Sequence, residues 1–100
     1  MNLLQLLNEA EARIYKGFIR VTYTDELTVG TLSDLIRSIE GVTIVTSSQK
    51  NEAANVVTFK VKIRSLKTGV DAFKDVRKMT LASPGVVKFE IGTNTIERIE

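Results

Sequence analysis

Apolar positions change period several times along the chain, and each change marks an element. Leu3, Leu4, Leu7, Ala10 and Ile14 recur at three- and four-residue spacing, with Glu9, Glu11 and Arg13 on the other side and Leu6 widening the stripe. That spacing predicts an amphipathic helix over residues 1–17, ended by Gly17, because glycine takes the left-handed conformation at little cost. A lone helix of this length is marginal in water. Its face, with Leu3, Leu4, Leu7 and Ile14 as candidate interface residues, is therefore expected to dock on its own domain, on a second copy or on a partner.

The period then drops to two. Phe18 to Thr24 alternates and is rich in β-branched and aromatic types, which predicts a strand with Ile19, Val21 and Tyr23 on one side. Phe18, Arg20, Thr22 and Thr24 take the other side. After a loop from Asp25 to Gly30, Leu32, Leu35, Ile36 and Ile39 return to helical spacing over residues 31–40, with Thr31 and Asp34 as a capping pair and Gly41 as the stop. A strand at Val42–Thr46 and a polar turn at Ser47–Asn55 follow. Val56 to Arg64 is the cleanest alternation in the chain: Val57, Phe59, Val61 and Ile63 face one way, and Thr58, Lys60, Lys62 and Arg64 the other. Thr68 and Asp71 open a second capped helix, with Val70, Phe73 and Val76 inside and Met79 or Thr80 near its end. Ser83-Pro84-Gly85 breaks that helix, since the residue before proline is pushed out of helical space. Val86 to Ile91 is a further strand, and Thr95 to Glu100 is either a last short strand or a tail.

The predicted order is a helix (1–17) followed by β-α-β-β-α-β as one domain (18–100). Right-handed crossovers then place both helices on one face of a four-stranded antiparallel sheet. This α+β arrangement is that of the ferredoxin-like fold.

Composition narrows the chemistry more than the fold. A chain of 100 residues, 43% hydrophobic and 26% charged, suits one domain. Cysteine, histidine and tryptophan are all absent, which removes thiol and imidazole nucleophiles, Ser-His-Asp triads, thiolate or imidazole zinc sites and haem ligation. An enzyme would have to be built from Asp25, Glu26, Asp34, Asp71, Asp75, Tyr15 or Tyr23. Asp71 and Asp75 share their helix with Lys74 and Lys78 as ordinary surface pairs, so no catalytic residue, cofactor or metal site is expected.

The net charge of +2 conceals an uneven distribution: residues 56–88 carry eight basic and two acidic groups, flanked by segments of net −2 on either side. Strand parity aims Arg20, Lys60, Lys62, Arg64 and Lys88 at the sheet face away from the helices, with Phe18 among them. Such a face suits an anion or a nucleic acid, the cations taking phosphates and Phe18 a base. Asp25, Glu26, Gly30 and Thr31 form a candidate ligand loop, where backbone N–H groups at a helix start receive an anion. No apolar run approaches the ~20 residues that span a bilayer. The opening residues lack a basic segment and a small-residue cleavage site, so a cytoplasmic location is expected.

Thr28-Val29-Gly30-Thr31-Leu32-Ser33-Asp34-Leu35, followed by Ile39-Glu40-Gly41-Val42-Thr43-Ile44, resembles the ACT domain pattern over roughly residues 18–91. That resemblance implies a ferredoxin-like regulatory module that pairs through its sheets or helices and binds amino acids at the loop before its first helix. The family's usual Asp-x-Pro-Gly is replaced here by Leu27-Thr28-Val29-Gly30. Pro84-Gly85-Val86 is also similar to the last-strand lead-in of small metal-binding ferredoxin-like domains, whose paired cysteines this chain lacks. In size and texture the chain resembles small proteins of tailed bacteriophages, which implies an accessory or structural role in a virion or host cytoplasm. The first expectation is a non-enzymatic interaction module that forms a homo-oligomer through its sheet or leading helix. The alternatives are a nucleic-acid-binding protein using the basic face and an ACT-like amino-acid sensor.

Overall fold

The computed structural model describes residues 12–50 and 54–100. Leu3, Leu4 and Leu7, and with them most of the expected N-terminal helix, lie outside the described residues.

The described chain is an α+β domain built from strand β1 (Arg13–Tyr23), helix α1 (Val29–Arg37), strands β2 (Val42–Ser48) and β3 (Val56–Ser65), helix α2 (Gly69–Leu81) and strand β4 (Val86–Ile91). A single 3-10 turn at Thr93–Thr95 leads to the short strand β5 (Glu97–Arg98). The sheet is antiparallel throughout, in the order β2-β3-β1-β4, and β5 pairs with the early part of β1.

β1 corrects the expected boundary at Gly17. Residues 13–17 are strand, not the end of a helix, and pair with Ser65 to Val61. The inward positions run Tyr15, Gly17, Ile19, Val21, Tyr23, so the two-residue period continues through a glycine that carries no apolar side chain to reveal it. Close approach explains that glycine: a Cβ on Gly17 would stand 2.8 Å from Cζ of Phe73. Ile14, expected on the helix interface, lies instead on β1 opposite Arg64.

Both helices press on one sheet face. Leu32 and Ile36 of α1, and Ala72, Phe73 and Val76 of α2, join Tyr15, Ile19, Val21, Val57, Phe59, Val61, Ile63 and Phe89 in a continuous core. Each fully buried side chain of this size contributes roughly 1.5–3 kcal/mol, and β1 and β3 each place four residues in this core. Two hydroxyls enter this core satisfied: Thr80 Oγ1 donates to the Val76 carbonyl at 2.7 Å, and Ser33 Oγ to that of Val29 at 2.8 Å.

α1 begins earlier than its apolar pattern suggests. Thr28 is the cap, accepting from the Thr31 N–H at 3.1 Å, and the Thr31 hydroxyl accepts from the Thr28 N–H at 2.8 Å. The expected Thr31–Asp34 box is therefore displaced by three residues, and Asp34 instead meets Arg37 at 3.8 Å. The helix closes at Ser38, and Gly41, at φ +83°, makes the turn into β2. α2 is capped by Thr68 as expected. Its inward residues are Ala72, Phe73, Val76 and Thr80, whereas Val70 and Met79 are exposed.

Candidate functional site

The sheet face opposite the helices gathers side chains far apart in sequence, and the antiparallel register sets them in rows. Arg64 of β3 stands opposite Ile14, Lys62 opposite Lys16, Lys60 opposite Phe18 and Thr58 opposite Arg20, all from β1. On the outer sides, β2 adds Thr43 beside Lys62, Thr46 beside Lys60 and Ser48 beside Thr58. β4 adds Glu90 beside Arg20 and Lys88 beside Thr22, and β5 adds Glu97 beside Lys16. Arg20, Lys60, Lys62, Arg64, Lys88 and Phe18, the residues aimed here by sequence parity, are thus brought onto one surface.

Several residues of this surface escape the sequence reading, Lys16 and Glu90 among them. Lys16 falls within the stretch read as helix, and only a two-residue period carried back from Tyr23 through Gly17 reveals it. Glu90 shares parity with Lys88, so its place was legible in Val86–Ile91.

The electrostatics of the face are lopsided. Lys88 Nζ lies 3.7 Å from Glu90 Oε1 and Lys16 Nζ 4.0 Å from Glu97 Oε2. Among the described residues, Arg20, Lys60, Lys62 and Arg64 have no carboxylate within ion-pair distance. Like charges set directly opposite across two strands are destabilising, and Lys16 and Lys62 stand in that relation. Phe18 is 41% exposed, and Lys60 Nζ sits 5.9 Å from its ring centroid, at the outer limit of a cation–π contact.

Two hollows lie side by side on the face. One, of about 400 Å³, is lined by Phe18, Arg20, Thr58, Glu90, Gly92 and Thr95 among others. The second, of about 310 Å³, lies over Arg20, Thr22, Ser48, Lys50, Thr58 and Lys88. Arg20, Thr58 and Glu90 belong to both and form the wall between them.

The loop from Asp25 is differently occupied. Asp25 Oδ1 accepts a 2.8 Å hydrogen bond from Asn55 Nδ2, which holds Asn55 at φ 49° where β3 begins. Glu26 is exposed. Gly30 is the second residue of α1 and not a loop glycine, and Thr28 already takes the Thr31 N–H. None of the four lines either hollow of the face.

The remaining acidic side chains are dispersed. Among the described residues no three of His, Cys, Asp and Glu stand together in a way that would hold a metal ion. Asp75 accepts from Lys67 Nζ at 2.5 Å, and this hydrogen bond, reinforced by the carboxylate charge, raises the Lys67 pKa above its ordinary 10.5. No helix among the described residues is long and apolar enough to cross a membrane. Neither a protein-family model nor a curated protein sequence matches the chain.

Proposed function

We propose that the chain is a non-enzymatic binding module of ferredoxin-like type whose working surface is the open sheet face, and that this surface takes a nucleic acid. The fold reading draws support from the strand order β2-β3-β1-β4 and from two helices that each connect strands lying either side of a third. The single observation that carries the functional reading is the set of cations Arg20, Lys60, Lys62 and Arg64, without a carboxylate at ion-pair distance among the described residues, set beside Lys16 on adjacent central strands. The Lys16–Lys62 pair, directly opposite across the two strands, costs some stability in the free protein. A polyanion turns the same repulsion into binding free energy through release of its counterions.

The test is a salt titration of binding to labelled oligonucleotides. With about five phosphates engaged, log K should fall against log salt with a slope of about −3 to −5, depending on strandedness. The Lys60→Glu, Lys62→Glu double variant should abolish binding. No binding to single- or double-stranded probes at low salt overturns the reading.

Self-association is a second reading, and one observation favours it. Among the described residues β2 pairs with β3 on one side only, and it is the one strand of the five that carries no charged residue. An uncharged, β-branched edge is open to pairing with a second copy. The open face itself resists packing against its own copy, since that would set cations against cations. Sedimentation at micromolar concentration decides the matter, and a monomer overturns this second reading.

A further inference from the structure

We propose that the nucleic acid bound on the open face is single-stranded and that Phe18 is the platform on which one of its bases stacks; this rests on the open-face reading and narrows it.

Phe18 sits on β1, a central strand, where a large aromatic ring 41% exposed has no part in the core. Cations surround it: Lys60 directly across, Lys16 and Arg20 two residues away on its own strand. Residues two apart on a strand are roughly 6.6 Å apart, so ring and guanidinium alternate at a stride that suits one nucleotide. The two adjoining hollows share Arg20 in the wall between them. The Phe18 hollow receives a base, the wall at Arg20 meets the following phosphate, and the hollow over Thr22 and Ser48 receives the next nucleotide. Hydroxyls of Thr58 and Ser48, together with the Glu90 carboxylate, supply both donors and acceptors to base edges without fixing one sequence.

A duplex fits poorly. Its bases are stacked inside and offer no face to Phe18. Four strands spaced about 4.8 Å apart make a surface roughly 14 Å across before side chains are added, wider than the ~12 Å major groove that admits a helix or a two-stranded ribbon.

The experiment uses the full chain and exploits its lack of tryptophan. In the Phe18→Trp variant the indole is the only tryptophan, so its emission reports on this position alone. The probes are a 15-nucleotide oligothymidylate, a 15-base-pair duplex and inorganic polyphosphate, which offers a backbone without bases. Oligothymidylate is expected to quench the Trp emission, and polyphosphate to bind without quenching. Phe18→Ala, placed at an exposed position, is expected to weaken oligothymidylate binding about 5- to 150-fold while leaving polyphosphate affinity unchanged. If Phe18→Ala binds oligothymidylate as tightly as the parent, or if the duplex binds as tightly as the single strand, the inference is overturned and the polyanion reading stands. If none of the three probes binds at low salt, the open-face reading falls and this inference with it.

Discussion

Lys16 on β1 and Lys62 on β3 are direct cross-strand partners, and among the described residues the carboxylate that meets this row, Glu97 of β5, reaches Lys16 only at 4.0 Å. The pair sits on strands that share the most extensive ladder of the sheet, so the repulsion is locked in place by the core beneath it. Lys62→Thr should accordingly stabilise the fold, by roughly 0.2–1 kcal/mol, because it removes a like-charge pair and substitutes a β-branched residue. Urea unfolding measures the gain, and the same variant should bind oligonucleotides more weakly. Stability lost in step with binding would remove the argument that this row is held for a ligand.

Two glycines should respond in opposite directions to the same substitution. Gly41 has φ +83°, and an added Cβ would stand 2.6 Å from the Arg64 carbonyl oxygen. Gly41→Ala should therefore destabilise by more than about 1 kcal/mol. Gly30 lies in the first turn of α1 with its nearest obstacle, Thr28 Oγ1, at an ordinary 3.6 Å. Gly30→Ala should stabilise by about 0.4–1 kcal/mol. Paired denaturant melts check both signs.

The cap of α1 separates the observed cap residue, Thr28, from Asp34, a member of the capping pair expected from sequence. Thr28→Ala removes one half of a reciprocal pair of hydrogen bonds and should cost about 1 kcal/mol. Asp34→Ala removes only an exposed contact to Arg37 and should stay within about 0.5 kcal/mol. Equal effects in thermal unfolding would contradict the observed start of the helix.

Alkaline pH offers a check on Lys67. Its pKa is raised in the folded state by the hydrogen bond to Asp75, so the stabilisation is fully present below the ordinary value of 10.5 and is lost as pH rises through the higher folded value. The melting difference between the parent and Asp75→Asn should hold constant up to about pH 10 and shrink above it. A difference that grows with alkalinity would reverse the sign of the linkage.

Most of the fold was legible because its strands alternate and its helices repeat. Val57, Phe59, Val61 and Ile63 announce a half-buried strand from their spacing alone, and Thr68 announces the start of α2. Reading failed where a position's role lies in what it lacks. Gly17 looks like a helix stop, and it is an inward strand position kept empty for the Phe73 ring. Val70 fits a helical apolar stripe yet is exposed, because the inward face of α2 is centred on Phe73 and Val76 and continues to Thr80.

The candidate site divides along the same line. Strand parity, a local property of the backbone, was enough to put Arg20, Lys60, Lys62, Arg64 and Lys88 on one side of the sheet. Neighbourhood is not local. That Lys62 faces Lys16, that Lys60 faces Phe18 and that Arg20 walls two hollows depends on β1 lying beside β3 and β4 in one register. That register is chosen by the core: a slip of one residue would turn Ile19, Val21, Phe59 and Val61 to water. The sequence by itself determined which residues could meet a ligand; burial of the opposite face decided which of them meet one another.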